Sequence, residues 1–308
     1  MSLEIENLTK RFGPKTAVDS LCLSMPSPGV YGLIGTNGAG KTTTIRMVLG
    51  MIPADAGTAL WNGTAIPKSG LRYGYMPEER GIYMKTKVAE QLCYFARLRG
   101  MSRADASASV NSYLERLGVS EYANMAAEKL SKGNQQKIQL ISTLLHEPEL
   151  LILDEPFSGL DPLNTQLFRD LIQEMAAQGK YIILSSHQMS VVEEYCREIT
   201  LLHQGRTILQ GDLKKIKAGY GHTKLLLDAP EEAVRMAEGF SLRITERRAD
   251  ETAFTLPAEN GDAQAEAFLK AMLAAGHLPA KFALSEPTLH EIFIEKVGSA
   301  AMEGGAAA

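Results

Sequence analysis

Short apolar runs separated by amphipathic stretches organise the first two thirds of this chain. Leu3 to Thr9 and Leu21 to Met25 alternate apolar and polar positions, the mark of half-buried strands, with a turn at Phe12-Gly13-Pro14. Val30-Tyr31-Gly32-Leu33-Ile34, Leu150-Leu151-Ile152-Leu153 and Tyr181-Ile182-Ile183-Leu184 are apolar throughout, as strands are when both faces of a sheet are covered. Shorter β-like runs lie near Ala59 to Trp61 and Tyr73 to Met76. Periodicity near 3.6 predicts helices over about Lys41 to Met51, Lys87 to Gly100, Arg103 to Leu117, Asn134 to Leu145 and Leu163 to Ala177. Leu92, Phe95 and Leu98 mark the apolar stripe expected of the second. Strands flanked by helices imply an α/β core with a parallel sheet, interrupted by a helical insertion over about residues 87–127.

After Leu213 the pattern changes. Leu225-Leu226-Leu227, a helix at Glu231 to Glu238, strands at Leu242 to Thr245 and Thr252 to Leu256, a helix at Asp262 to Ala275 and a strand at Lys281 to Leu284 follow in turn. That β-α-β-β-α-β order predicts a small α+β, ferredoxin-like domain. A last helix from Thr288 to Val297 sets Leu289, Ile292, Phe293 and Val297 on one face. The expected organisation is a first domain over 1–218, a second over 219–298 and a disordered, small-residue tail over 299–308. No internal repeat is visible.

Composition narrows the classes. At 308 residues the chain is long enough for two domains, and its net charge of −4 carries no basic field for nucleic acid. Cys22, Cys93 and Cys196 are scattered and odd in number, which predicts buried reduced thiols of a cytoplasmic protein. The acidic start Met1-Ser2-Leu3-Glu4-Ile5-Glu6 does not read as a signal peptide, and no run of eighteen apolar residues predicts a membrane span. Any membrane role is expected to come through a partner.

Chemistry concentrates first at Gly35-Thr36-Asn37-Gly38-Ala39-Gly40-Lys41-Thr42-Thr43, which fits G-x-x-x-x-G-K-[ST] between a strand and a helix. Glycines let successive backbone N–H groups converge on phosphate oxygens, and the following helix directs its positive end at the same anion. Lys41 is then placed to reach the β- and γ-phosphates, and the Thr42 hydroxyl to ligate Mg²⁺. The loop points to a nucleoside triphosphate. A second signal is the apolar strand that runs into Asp154-Glu155, since carboxylates at the end of a buried strand need a cation. Asp154 is expected to hold Mg²⁺, and Glu155 to orient and deprotonate an attacking water.

Together these motifs, in this order from Leu3 to about Gly211, resemble the nucleotide-binding subunit of an ABC transporter. The implied fold is a P-loop NTPase core of the ABC ATPase type with its helical insertion. Leu130-Ser131-Lys132-Gly133-Asn134 resembles the family's signature Leu-Ser-Gly-Gly-Gln, matching at Ser131 and Gly133 and departing at Lys132 and Asn134. A serine before a helix is a good N-cap, and the resemblance implies that this motif docks on the γ-phosphate held by a second copy. The active unit would then be a homodimer across ATP. The resemblance further implies that Asp161, in Ser158-Gly159-Leu160-Asp161, belongs to the loop passing between the two sites. His187, after Leu184-Ser185-Ser186, is implied to contact the γ-phosphate, and Phe12 to stack on adenine.

Tyr75-Met76-Pro77-Glu78-Glu79-Arg80-Gly81 departs from the family, which has Gln after the proline as an Mg²⁺ ligand; here Glu78 takes that position. The same wording, with Glu286-Pro287-Thr288-Leu289-His290-Glu291-Ile292-Phe293, resembles ATPases serving ABC-2-type export permeases of the sodium- and antibiotic-efflux-like kind. An Mg²⁺-dependent ATPase on the inner face of the plasma membrane, attached through a separate permease, is implied. The alternative is a soluble ABC ATPase acting on ribosomes or DNA. Against it, the chain carries one cassette, and Thr43 to Leu130 is too short for an inserted coiled coil. A silent binding module is opposed by the intact Lys41, Asp154, Glu155 and His187.

Overall fold

The computed structural model describes residues 1–79, 81–248, 251–257 and 259–305, with side chains to residue 298. The chain divides into two compact units, Met1–Gly211 and Asp212–Ala308. In the first, the elements are β1 (Leu3–Phe12), β2 (Lys15–Met25), β3 (Gly29–Gly35), α1 (Lys41–Val48), β4 (Ala56–Trp61), β5 (Thr64–Ala65) and β6 (Tyr73–Met76). The helices α2 (Val88–Leu98), α3 (Arg103–Arg116) and α4 (Lys132–Leu144) follow. Then come β7 (Leu150–Asp154), α5 (Pro162–Ala177), β8 (Tyr181–Ser186), α6 (Met189–Tyr195), β9 (Glu198–His203) and β10 (Arg206–Asp212).

The central sheet has the order β10-β9-β3-β8-β7-β6. Its β9, β3, β8, β7 and β6 run parallel, and β7 and β8 are buried at every position. A second, antiparallel sheet, β2-β1-β4-β5, is built from the alternating segments. Leu3, Ile5 and Leu21 from it share a core with Leu33, Ile45, Ile152 and Ile183. Register aligns the carboxyl ends of the central strands: Ile34 lies opposite Ser186, and Asp154 opposite Ser185. Whatever follows β3, β7 and β8 therefore emerges at one edge, where open α/β sheets bind ligands.

Several expectations are corrected. Leu98 is 69 % exposed, and the buried stripe of α2 is Val88, Gln91, Leu92 and Ala96. Helix α1 stops at Val48 because Gly50 turns the chain at φ 68°. Cys196 is buried, but Cys22 is exposed and Cys93 half-buried; all three are free thiols.

The second unit opens with α7 (Leu213–Tyr220), whose N-cap is Asp212. It continues with β11 (Lys224–Asp228), α8 (Glu231–Met236), β12 (Arg243–Arg247), β13 (Thr252–Thr255), α9 (Gly261–Ala274), β14 (Lys281–Ser285) and α10 (Leu289–Gly305). The sheet order β12-β13-β11-β14, with every neighbouring pair antiparallel, is the ferredoxin-like arrangement. Leu225, Leu227 and Phe254 on one sheet face pack with Ala233, Val234, Phe268 and Met272. Helix α10 carries residues 299–305, expected as tail, in helical form; that stretch includes Ala300, Ala301, Met302 and Glu303, all good helix formers. Residues 306–308 of the expected tail lie outside the described residues.

Candidate nucleotide site

The phosphate loop is a sequence of left-handed turns. Gly38 (φ 79°) and Gly40 (φ 109°) take conformations open to glycine, and a Cβ at Gly40 would lie 2.5 Å from the Ala17 carbonyl oxygen. Gly40 is also the N-cap of α1 and makes no side-chain capping bond, and no acidic residue occupies the first turn. The leading amides of α1 and its positive dipole end are thus left for an anion. Residues Asn37–Thr43 floor a cavity of about 310 Å³, with Phe12, Lys15 and Ala17 on one side and Glu78 on another. The Phe12 ring is 53 % exposed, with the Lys10 ammonium 5.5 Å from its centroid. An aromatic face at the mouth suits a base, since every base has a π-face.

Lys41 is buried and donates to the carbonyls of Gly35 (2.7 Å) and Thr36 (3.4 Å). Its Nζ also lies 3.4 Å from Glu155 Oε1. Thr42 Oγ1 donates a 2.9 Å hydrogen bond to Asp154 Oδ2. Asp154 is 1 % exposed, and its Oδ1 accepts no hydrogen bond among the described residues. A buried, unpartnered carboxylate oxygen beside a hydroxyl is a donor set for a hard divalent cation. No group of three or more His, Cys, Asp or Glu gathers to hold a metal among the described residues. The pair Thr42 and Asp154 therefore suits an ion that keeps waters and substrate oxygens as its other ligands.

Glu155 has φ 52°, unusual for a residue with a side chain, and donates its amide to the Ser185 carbonyl at 3.0 Å. The turn carries its carboxylate to His187, whose Nδ1 lies 2.8 Å from Glu155 Oε2. Each Glu155 oxygen thus faces a nitrogen, Lys41 on one side and His187 on the other. Tyr75 stands nearby; burial first, and the Asp154 charge second, push its hydroxyl pKa up.

Ser131, Gly133 and Asp161 are not among the residues around this cavity. They form a second group. Ser131 Oγ caps α4 by accepting from the Asn134 amide (3.3 Å), so one of the helix N–H groups is already used. A Cβ on Gly133 would lie 3.0 Å from Asn164 Nδ2. Asp161 caps α5, accepting from the Asn164 amide (2.8 Å) and side chain (2.6 Å), and these bonds hold its pKa down. Gln136 on α4 donates to the Ser158 carbonyl at 2.6 Å, tying α4 to the Ser158–Asp161 loop.

Sequence reasoning missed two glutamines. Gln139 on α4 donates to the carbonyls of Pro77 (2.6 Å) and Glu79 (3.3 Å), and Gln91 on α2 engages the backbone of Tyr83 and Thr86. The available signal was an amide at a position each helix buries, alone among apolar residues in α2 and beside the buried Gln135 and Thr143 in α4. Arg80 lies outside the described residues.

A glycine-rich loop at an uncapped helix N-terminus and a carboxylate pair, brought to one edge of a parallel sheet with a helical insertion, have the make-up of an ATP-hydrolysing cassette of the P-loop class. A family model described as "ABC transporter" matches residues 18–158, and one described as "ATP-binding protein DrrA1-3-like, C-terminal domain" matches residues 211–297. An uncharacterized ABC transporter ATP-binding protein of Bacillus subtilis is 44 % identical over 96 % of this chain and 99 % of its own length. A Nod factor export ATP-binding protein of Paraburkholderia xenovorans is 36 % identical over 68 % of this chain and 70 % of its own. A linearmycin resistance ATP-binding protein of Bacillus subtilis is 33 % identical over 68 % of each. The solved ATP-binding subunit of an ABC transporter superposes with a TM-score of 0.66 at 29 % identity, covering 72 % of this chain and 94 % of that one. The chain belongs to the ATP-binding proteins of ABC transporters.

Proposed function

We propose that this chain energises export through a separate ABC-2-type membrane permease, acting as a homodimer across ATP. The observation that carries the reading is the meeting of Thr42, Asp154, Glu155 and His187 at the phosphate loop, in a chain whose relatives include proteins named for export and for antibiotic resistance. Among the described residues no helix is long and apolar enough to cross a membrane, which agrees with a partner supplying the path.

In this reading the loop amides and Lys41 bind the triphosphate, with Lys41 exchanging the Gly35 and Thr36 carbonyls for phosphate oxygens. Thr42 and Asp154 would hold Mg²⁺, with Glu78 at the same cavity. When bound, Mg²⁺ supplies positive charge against the charge that develops on the phosphoryl oxygens. Glu155 takes the proton from the attacking water, and His187 orients Glu155 through Nδ1 and faces the γ-phosphate. Ser131 and Gly133 complete the site of a second copy, and Asp161 lies in the passage between the two. Phe12 receives the base.

The permease is proposed to dock beside the Glu78 loop and α2. Tyr83 and Tyr94 are each 53 % exposed, and Tyr83 stacks on Phe95 with centroids 5.5 Å apart. Solvent-facing aromatics of this kind are enriched at the centres of protein interfaces. The test is co-expression with a candidate ABC-2-type permease. Co-purification, cargo-stimulated ATPase and loss of coupling in Tyr83→Ala with Tyr94→Ala, at unchanged basal turnover, are expected. A stable association with ribosomes or DNA and none with the permease would overturn the reading.

A further inference from the structure

Pro77, Glu78 and Glu79 leave the end of β6, and Glu78 lines the nucleotide cavity. Irregular backbone at a catalytic edge needs fastening, because each free residue costs about 1–2 kcal/mol of entropy to order. Gln139 provides it. Its amide nitrogen has two hydrogens, and both are directed at this segment: 2.6 Å to the Pro77 carbonyl and 3.3 Å to the Glu79 carbonyl. These two carbonyls flank Glu78. Gln139 is 4 % exposed, so its amide is largely withdrawn from bulk water even though the backbone it meets lies nearer the surface.

The reach of Gln139 depends on how closely α4 lies against β6. A Cβ on Gly74, in β6, would come within 2.4 Å of the Thr143 carbonyl oxygen, one turn along α4 from Gln139. The absence of a side chain at Gly74 lets the helix sit this near, which brings Gln139 over the strand's exit. The other end of α4 begins at Ser131 and Gly133. One helix therefore carries the signature-like motif at its N-terminus and, two turns on, the clamp around Glu78.

We propose that Gln139 is a positioning residue for the ATPase reaction: it fixes the Glu78 backbone, and so the Glu78 carboxylate, against the phosphate-loop cavity. The inference rests on the reading that Glu78 belongs to the nucleotide and Mg²⁺ site. It also gives α4 a second task, holding one catalytic segment of its own copy while its first turn serves the other.

The test uses the full chain with Gln139→Met, which keeps length and apolar volume but cannot donate, with Gln139→Glu as an isosteric second variant. Glu78→Ala is made alone and combined with Gln139→Met. ATPase rates are read against ATP and against Mg²⁺, with hydrogen exchange of the 77–87 peptide as an independent readout. Gln139→Met should lower kcat and raise the Mg²⁺ needed for half-maximal rate by about 10-fold, as lost outer-shell partners do. KM for ATP should move less than about twofold, because phosphate binding rests on the loop and Lys41. Exchange should rise in the 77–87 peptide, and the Gln139→Met effect should vanish in the Glu78→Ala background. An effective Glu78→Ala beside a neutral, or fully additive, Gln139→Met overturns the inference alone. A neutral Glu78→Ala overturns the site reading, and the inference with it.

Discussion

Glu155 Oε2 lies 2.8 Å from His187 Nδ1, and the opposite oxygen of the same carboxylate lies 3.4 Å from Lys41 Nζ. A carboxylate held this way is both oriented and shielded from water, with side-chain exposure of 4 %. Replacing it by the isosteric amide keeps the volume and removes the base. Glu155→Gln should therefore retain ATP binding and lose turnover by about 10²–10⁴-fold, the usual contribution of a positioned base. Size-exclusion chromatography with ATP and Mg²⁺ should show a trapped dimer. Hydrolysis at the parental rate would remove Glu155 from its role.

Lys41 is more than a phosphate ligand, because it is the cation of a buried ion pair. Lys41→Ala should abolish most nucleotide affinity, read with a fluorescent ATP analogue. It should also lower the melting temperature, since an uncompensated buried carboxylate costs about 3–5 kcal/mol when no other partner answers it. His187 answers part of that cost here, so the drop should be smaller. Adding Glu155→Gln to Lys41→Ala should restore much of the lost stability, a coupling that direct contact produces and distance does not. If the two substitutions simply add, the pair carries no stability.

The central sheet and phosphate loop were legible because their signals are local. Wholly apolar runs at Val30, Leu150 and Tyr181 became β3, β7 and β8, and the glycine spacing became the cradle. That Asp154-Glu155 closes a buried strand was legible because charge at such an end is anomalous; their roles in catalysis stay part of the proposal. The separation of β2-β1-β4-β5 from the parallel sheet was not legible, since strand pairing across sequence leaves no local mark. Leu98 was misjudged because a helix's buried face depends on what packs against it: Gln91, a polar residue, is inside, and Leu98 is outside. The Gln139 clamp was hidden for the same reason. A buried amide signals a partner without naming which backbone it meets.

Gly74 offers a test of how β6 and α4 are packed. Gly74→Ala places a methyl against the Thr143 backbone carbonyl, and backbone cannot move aside as a side chain tip can. The expected cost is about 1–3 kcal/mol, the range for overpacking a filled interior. Urea denaturation should show a lowered midpoint with an unchanged slope. A native-like midpoint would mean that α4 slides freely on the sheet.

His146 makes the stability of the first unit sensitive to acid. Its ring is buried, and burial pushes its pKa below the ordinary histidine value, although the hydrogen bond to the Tyr73 carbonyl at 2.9 Å opposes this. Arg99 and Arg72 push in the same direction as burial. The folded chain therefore binds this proton less readily than the unfolded chain, whose histidine titrates near about 6.5. As pH falls through that value, the unfolded state gains the proton first and is favoured, so stability declines until the folded pKa is reached. The contribution to the slope is at most about 1.4 kcal/mol per pH unit for one proton. Melting temperatures between pH 7.5 and pH 5.5 should fall more steeply for the native sequence than for His146→Gln, which cannot titrate. Parallel curves for the two would show that acid acts elsewhere in the molecule.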